Sequence, residues 1–169
     1  EPGSVRREFG LSDTMKVIAM VANFRKVKNH ILLLKGFREL LGEFDGVRLL
    51  LIGQGYAHDP ENSEIELRRY IEESGLSGKV IFTGYRSDVM DLLSIADVFC
   101  LTSYREGLPI SMLEAMSCSL PVVGTNVPGI RDVVRHGKNG FLVEADDYVA
   151  VKDSLLRIIL REAIASKRN

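Results

Sequence analysis

The sequence has little of several residue types that mark specialised classes of protein. It contains no tryptophan and two cysteines, Cys100 and Cys118, among 169 residues. Neither cysteine belongs to a CxxC pair or to a His-linked metal pattern, so we expect two free thiols in a reducing, cytoplasmic compartment. An Asp-x-Asp motif is missing as well, and the sequence therefore predicts no metal site.

Long hydrophobic runs and an excess of charge of one sign are also missing. No apolar stretch approaches the ~18 residues that a membrane span needs, and the first residues show no signal-peptide pattern. With 22 basic and 23 acidic residues the net charge is -1. The chain therefore has no overall positive electrostatic field that would attract nucleic acid or an anionic membrane. Any anion site must therefore be local.

The composition that remains is that of one globular domain. Hydrophobic residues make up 46% and charged residues 27% of the chain, enough to bury a single core without disulfides. The first residues, Glu-Pro-Gly-Ser, are typical of a linker or of the end of an excised domain. We therefore expect a linker over residues 1–14 and the folded domain over residues 15–169.

Apolar runs of strand length alternate along the chain with segments of helical periodicity. The strands are predicted at residues 15–22, 47–52, 80–82, 98–101, 121–124 and 141–143. The helices are predicted at residues 28–43, 61–74, 88–95 and 130–135, with two more that begin near 109 and 147. Strands that are apolar throughout indicate a parallel sheet with helices on both faces. The predicted fold class is α/β, a Rossmann-like doubly wound parallel sheet of about six strands.

Ligands of such a sheet bind at the carboxyl ends of the strands. Polar or glycine-rich loops follow five of the predicted strands, at residues 23–28, 53–55, 84–87, 103–109 and 125–129. We expect these loops to line one crevice.

The stretch from Glu106 to Cys118 organises the rest of the chain. Pro109 fits best in a first helical turn, where its missing N–H group is no loss, and it predicts a helix that begins there. Glu106 then lies in the preceding turn, and Glu114 lies inside the helix. One predicted apolar arc, with Glu114 at its border, contains Ile110, Met112, Leu113, Met116 and Ser117.

The same helix start predicts a site for an anion. The free N–H groups of Gly107, Leu108 and Ile110 are expected to converge where the helix dipole is positive, and a phosphate fits there. A sugar nucleotide would place its diphosphate on these amides, its ribose on one carboxylate and its sugar near the other. An ordinary βα unit with two surface glutamates explains the spacing equally well.

Two cations, Arg25 and Lys28, follow the first predicted strand. Such a pair can neutralise a diphosphate leaving group, although a solvated helix start accounts for the same residues. The three histidines have no nucleophile or metal partner at a useful spacing. We expect His30, His58 and His136 to be surface residues.

The two glutamates, separated by seven residues in the run EGLPISMLE, resemble the EGxx…E signature of retaining GT-B glycosyltransferases, above all family 4 (group 1). The resemblance covers residues 15–151 and includes Pro128-Gly129 and residues 139–143. It implies the C-terminal, donor-binding half of a GT-B fold. The implied activity is transfer of a hexosyl unit (EC 2.4) from a UDP-sugar or GDP-sugar to an unknown acceptor, with retention of configuration.

The resemblance also implies residue roles. Glu106 would face the donor sugar and Glu114 the nucleotide ribose. Lys28 matches the family lysine, whereas Asn23 stands where the family arginine usually is, and we expect Arg25 to replace that arginine. The implied catalytic residues are Arg25, Lys28 and Glu106. The implied donor-binding residues are Gly53, Gly55, Gly84, Tyr85, Arg86, Gly107, Leu108, Ile110 and Glu114.

Partners follow from the same resemblance. An N-terminal acceptor-binding domain is expected to be missing, so this chain alone should transfer no sugar, and peripheral membrane association is expected only through that domain. We expect no cofactor and no nucleic acid. A nucleotide-sugar epimerase and a catalytically silent sugar-nucleotide-binding module remain alternatives. A receiver domain is disfavoured, because the first strand ends in Asn23-Phe24-Arg25 rather than in acidic residues that hold a metal.

Overall fold

The computed structural model describes residues 2–166 and the side chains of residues 3–161; Glu1 and residues 167–169, at the outer ends of the predicted linker and domain, lie outside the described range. Within that range the strands are β1 (Lys16–Val21), β2 (Val47–Ile52), β3 (Val80–Gly84), β4 (Val98–Leu101), β5 (Val122–Thr125) and β6 (Gly140–Val143). The α-helices are α1 (Pro2–Glu8), α2 (His30–Glu43), α3 (Glu64–Glu73), α4 (Val89–Ser94), α5 (Ile110–Ser117), α6 (Ile130–Val133) and α7 (Tyr148–Ser166).

All six strands are parallel and form one sheet in the order β3-β2-β1-β4-β5-β6. The predicted strand number and the Rossmann-like α/β class are confirmed. The strand order switches between β1 and β4, where Ile18 pairs with Val98. At such a switch point the loops that leave the two strands diverge and open a crevice at the carboxyl edge.

Helices cover both faces of the sheet, and this explains why its strands are apolar throughout. Residues 17–20 of β1 and 49–51 of β2 have no exposed surface. Helices α2 and α7 pack so closely that a Cβ on Gly36 would lie 2.8 Å from Val151 Cγ1, and α1 packs against α4. Burial of both faces removes the alternation of polar and apolar residues that a half-exposed strand shows.

The N-terminal segment differs from its prediction. The described part of the predicted linker contains a helix, α1, which packs on the domain, and Val5 and Leu11 are each 6% exposed. The Arg6 guanidinium donates hydrogen bonds to three backbone carbonyl groups, one of them at Ile95. Two buried apolar residues are too few to produce a helical period in the sequence, so tertiary contacts determine this helix.

Helix α2 begins two residues later than predicted. Lys28 ends a 3-10 turn, Lys26–Lys28, and Asn29 adopts a left-handed conformation with φ 50° and ψ 45°. Asparagine enters this region more readily than most residues. The Asn29 side-chain amide also donates a 3.0 Å hydrogen bond to the carbonyl group of Ala145. Lys28 therefore lies in a turn at the carboxyl edge and not on the helix.

The predicted apolar arc of α5 faces the core only in part, through Met112 and Met116. Met112 and Ala115 are fully buried, whereas Ile110 is 60% and Leu113 is 37% exposed. The helix packs close to β5, since a Cβ on Gly124 would lie 2.8 Å from Met112 Cε. The prediction placed every large apolar residue of this helix on one arc, but two of them, Ile110 and Leu113, lie at the surface.

Candidate functional site

The loops that leave β3, β2, β1 and β4 lie side by side at the carboxyl edge of the sheet. Gly53, Tyr85 and Arg86, all predicted donor-binding residues, line one recess of about 190 Å³ together with Asn23. The recess lies beside β1 on the side of β2 and β3, and the loop that carries Glu106 follows β4 on the other side. The structure thus gathers most of the predicted residues at one edge.

Close backbone packing requires the glycines after β2. Gly53 has a φ of 143°, and a Cβ there would overlap the carbonyl oxygen of Ala22. Its N–H group donates a 3.1 Å hydrogen bond to the carbonyl group of Gly84. A Cβ on Gly55 would overlap the side chain of Asn62. Contacts within the protein therefore fix the shape of this loop.

Lys28 and Glu106, predicted separately, are in contact. The Lys28 ammonium donates a 2.6 Å hydrogen bond to Oε1 of Glu106, and the two side chains are 24% and 8% exposed. The Ser103 hydroxyl donates to the same oxygen, also at 2.6 Å. Hydrogen bonds to an ionised group are stronger than neutral ones, so this cluster positions the carboxylate firmly.

Two hydrogen bonds from residues that follow β4 hold the turn that carries Lys28. The N–H group of Tyr104 donates a 2.9 Å hydrogen bond to the carbonyl group of Val27. The fully buried Thr102 hydroxyl donates to the carbonyl group of Asn29 at 2.9 Å. The position of the ammonium relative to its carboxylate partner is therefore set by the fold.

Gly129, which follows β5, packs directly against the turn that contains Glu106. Its φ is 85°, and a Cβ there would overlap the carbonyl oxygen of Gly107 and lie 2.8 Å from that of Glu106. The Asp132 carboxylate accepts a 3.0 Å hydrogen bond from the Gly129 N–H group. The Pro128-Gly129 pair therefore allows a close approach of two loops that a larger residue would prevent.

Arg25 does not share a partner with Lys28. Its Nε lies 2.7 Å from Oδ2 of Asp59, and its side chain lines a separate cavity of about 350 Å³ beside His30. The predicted pair of cations is thus divided, with Lys28 at Glu106 and Arg25 at Asp59.

Arg86 is neutralised from two sides. Its guanidinium lies 2.7 Å from Asp88 and 2.5 Å from Glu8. Hydrogen bonds with Asp88 and then with Glu8 raise the pKa of Arg86 above its ordinary value, and the same contact lowers the pKa of Asp88. Since Glu8 belongs to α1, the N-terminal helix is tied to the loop that lines the recess.

The amide groups before α5 match the prediction in part. The Ile110 N–H group donates to the carbonyl group of Leu108 at 2.9 Å, so the prediction that it is free is wrong. The cause is Pro109, whose φ of -80° and ψ of 71° close an inverse γ-turn. Among the hydrogen bonds of residues 2–166, none uses the N–H groups of Gly107 or Leu108.

Glu114 lies half-buried on α5. No hydrogen-bond donor or cation of the described side chains contacts its carboxylate, whereas its backbone carbonyl group accepts a hydrogen bond from the Ser117 hydroxyl. A half-buried carboxylate without a protein partner can accept hydrogen bonds from water or from a ligand.

His30 is buried rather than exposed as predicted. It is 2% exposed, and its ring meets that of Phe24 edge-on at 5.1 Å between centroids. Neither ring nitrogen has a hydrogen-bond partner among the described residues. Burial, together with the charge on Lys28, lowers the pKa of His30 to about 3. His58 and His136 are exposed, as predicted.

Sequence reasoning missed the residues that hold the site together. Thr102 and Ser103 directly follow a buried strand and precede Glu106 by four and three positions. Hydroxyl residues at a strand end are common. The partner of Thr102, Asn29, is distant in sequence, and that of Ser103, Glu106, is only three residues away, but the pattern gave no specific signal for either contact.

The described residues show neither a metal cluster nor a membrane span. Among residues 2–166, no three His, Cys, Asp or Glu side chains are placed to hold a metal ion. Cys100 and Cys118 are free, and burial raises the pKa of the Cys100 thiol. No described helix is both long and apolar enough to cross a bilayer.

One known protein family matches almost the whole chain. The family described as Glycosyl transferases group 1 matches residues 4–169. The chain belongs to this family. Similar proteins are the N-acetyl-alpha-D-glucosaminyl L-malate synthase of Bacillus anthracis and a D-inositol 3-phosphate glycosyltransferase of Corynebacterium jeikeium, both 32% identical. The matches cover 95% and 92% of this chain but 40% and 38% of those two relatives, so the chain spans about two fifths of their length.

Solved structures of GT-B glycosyltransferases share the fold of this group 1 chain. Anabaena Alr3699/HepE in complex with UDP and glucose matches with a TM-score of 0.86 at 23% identity, over 96% of this chain and 43% of that chain. The C-terminal domain of LpcC from Francisella tularensis, a glycosyl transferase group 1 family protein, matches with a TM-score of 0.77 at 22% identity, over 85% and 75%.

Proposed function

We propose that this chain is the C-terminal, donor-binding half of a retaining family 4 glycosyltransferase. The observation that carries the proposal is the contact between Lys28 and Glu106 at the carboxyl edge, with Glu114 on the helix that follows. A cation, a carboxylate held beside it and a second carboxylate with no described partner provide contacts for a phosphate, a sugar and a ribose. Membership of group 1 supports this assignment.

In this proposal, Lys28 stabilises the diphosphate that leaves the sugar. An ammonium group has three N–H donors, of which Glu106 takes one, and the others are available for charge that develops on the diphosphate. The N–H groups of Gly107 and Leu108 add further donors. Arg25 reaches the diphosphate only by leaving Asp59, so Lys28 makes the larger contribution.

The remaining parts of the donor are assigned by position along the sheet edge. Glu106 orients the sugar, because it lies beside the phosphate-binding lysine. Glu114 accepts hydrogen bonds from the ribose hydroxyl groups. The recess at Gly53, Tyr85 and Arg86 receives the base. Gly55 and Gly84 shape the backbone of the loops around it. Ile110 is the first residue of α5, the helix that carries Glu114.

We propose a UDP-sugar as the donor, with a GDP-sugar as the alternative, and a hexosyl unit as the group transferred. Structures of Alr3699/HepE, which share the fold, contain UDP, glucose and UDP-glucose, and this supports a uridine nucleotide. No cofactor and no metal take part in the proposed reaction, because protein cations meet the charge of the leaving group.

We further propose that an N-terminal, acceptor-binding half completes the enzyme, and that the whole protein is cytoplasmic and reaches membranes only through that half. Two observations support this. The chain spans about two fifths of its relatives, and large apolar side chains are exposed at or near the carboxyl edge: Tyr56, Tyr85, Tyr104, Leu108 and Ile110. Exposed apolar patches commonly mark interfaces. The chain alone therefore transfers no sugar.

Calorimetric titration with UDP, GDP and uridine tests donor binding. We expect a nucleoside diphosphate to bind and uridine to bind much more weakly, because the diphosphate contacts are lost. Failure of UDP and GDP to bind would overturn the proposal. Transfer by the whole protein, with the anomeric configuration of the product read by NMR, separates a retaining transferase from an inverting enzyme, an epimerase and a silent binding module.

A further inference from the structure

Ser103 contacts the carboxylate that we assign to the donor sugar. The residue is fully buried, and its hydroxyl lies 2.6 Å from Oε1 of Glu106. The Lys28 ammonium donates to the same oxygen at 2.6 Å. Two donors therefore occupy Oε1, while Oε2 has no hydrogen bond with any described residue.

We propose that Ser103 is a positioning residue that orients Glu106 toward the donor sugar, an inference that rests on the proposed function. The terminal torsion of a glutamate is broad and weakly restrained. Two hydrogen bonds to Oε1 restrain it and leave both lone pairs of Oε2 for a sugar hydroxyl, which donates to a carboxylate. Because Lys28 shares Oε1, Ser103 also links the sugar contact to the phosphate contact.

Ser103 can do this because its own backbone is held from two sides. Its carbonyl oxygen accepts a 2.5 Å hydrogen bond from the Thr125 hydroxyl at the end of β5. The next residue, Tyr104, donates its N–H group to Val27 in the loop after β1. Groups that orient a functional side chain act best when they are themselves rigid, and here β5 and the turn after β1 hold the backbone that carries the hydroxyl.

A purely structural role for the hydroxyl makes a different prediction. If Ser103 only satisfies a buried carboxylate, then its removal destabilises the fold and weakens every ligand to the same extent. If it orients Glu106, its removal weakens a ligand that carries a sugar more than a ligand that lacks one. The ratio of the two affinities therefore separates the roles, even where stability changes.

The experiment measures that ratio by calorimetry with UDP and with whichever of UDP-glucose and UDP-N-acetylglucosamine binds the unsubstituted chain more tightly. For Ser103→Ala we expect UDP affinity within about twofold of the unsubstituted chain and nucleotide-sugar affinity about five- to tenfold lower. Ser103→Thr keeps the hydroxyl and should restore the ratio. If its methyl group prevents folding, Ser103→Cys, a weaker donor, should give an intermediate ratio.

Ser94→Ala is the matched control, because the Ser94 hydroxyl bonds to the carbonyl group of Asp91 away from the crevice. It should leave both affinities unchanged. Equal losses for the two ligands with Ser103→Ala, or no loss for either, would overturn the positioning role. Failure of the unsubstituted chain to bind UDP would instead count against the proposed function, so the two failures are distinguishable.

Discussion

Glu106 and Glu114 have the same chemistry and belong to the same sequence signature, yet the fold gives them opposite surroundings. Glu106 is 8% exposed, and its Oε1 accepts hydrogen bonds from Lys28 and Ser103. Glu114 is half-buried on α5 with no described partner for its carboxylate. One carboxylate is therefore oriented by the protein, and the other keeps its full capacity to accept hydrogen bonds.

Two glutamates of one sequence signature therefore need not have the same role. A carboxylate that the protein already orients can meet a reacting sugar without reorganisation, and this favours interactions expressed in the transition state. A carboxylate without a partner gains most when a ligand supplies donors, as a ribose diol does.

Substitution of Gly129 should disturb the turn that carries Glu106. Gly129→Ala forces a side chain into a conformation with φ 85° and against the backbone of residues 106 and 107. We expect the free energy of unfolding to fall by about 3 kcal/mol or more in chemical denaturation. Gly137→Ala is the control, since its φ is also positive but its Cβ meets nothing within 4 Å. Equal losses for the two variants would show that the close approach has no cost.

The buried histidine next to the Lys28 turn should make stability depend on pH. The folded-state pKa of His30 is about 3, below its ordinary value of 6.5, so below pH 6.5 the unfolded chain binds a proton that the folded chain does not. The contribution of neutral His30 to the free energy of unfolding is fully present above pH 6.5. It decreases toward pH 3 by up to about 1.4 kcal/mol per pH unit.

His30→Leu removes this titration and loses no described hydrogen bond. Between pH 6.5 and 4.5 we expect the variant to lose about 2–3 kcal/mol less of its unfolding free energy than the unsubstituted chain. Denaturant titrations at several pH values measure the difference. Parallel curves for the two proteins would mean that His30 has the same pKa in the folded and the unfolded chain, and would contradict its burial in the neutral form.

The ribose assignment predicts separate effects for the two glutamates. Glu114→Gln should weaken both uridine and UDP by about 1–2 kcal/mol, because both ligands carry the ribose. Glu106→Gln is the matched control and should leave UDP affinity no weaker, because UDP lacks the sugar. Loss of UDP binding in Glu106→Gln but not in Glu114→Gln would require the two roles to be exchanged.

Arg25 should contribute least. Its guanidinium is paired with Asp59, and partly exposed ion pairs of this kind are worth about 0–1 kcal/mol. We expect Arg25→Ala to change UDP affinity by less than about 0.5 kcal/mol in the same titrations. A loss as large as that of Lys28→Ala would show that Arg25 leaves Asp59 for the diphosphate.

Sequence patterns predicted the elements that depend on local chemistry. The bounds of β2 and β4 match the prediction, because short apolar runs between polar loops define buried strands. Lys28 and Glu106 were predicted for one crevice, since strand ends in a parallel sheet share an edge. The direct contact between Lys28 and Glu106 joins residues 78 positions apart, and no local pattern reports such pairing. Ser103 is close to Glu106 in sequence, but a serine three residues before a glutamate is too common to predict the hydrogen bond.

The wrong predictions share one physical cause. Helix α1, the burial of His30 and the exposure of Ile110 all depend on which surface a residue meets in the folded chain. Periodicity gives the angle of a side chain around its helix but not the position of the neighbouring element. The Ile110 amide was mispredicted for a related reason, because Pro109 was expected to begin a helix and instead closes a γ-turn.

The most direct test of the account is whether Lys28 recognises the diphosphate. UDP and uridine are titrated against the unsubstituted chain, Lys28→Ala and Lys26→Ala, a control that removes an exposed cation in the same turn. We expect Lys28→Ala to weaken UDP binding by about 1–3 kcal/mol while leaving uridine binding unchanged, and Lys26→Ala to affect neither. Equal weakening of UDP and uridine binding by Lys28→Ala, or no change in either, would contradict the assignment of Lys28 to the diphosphate.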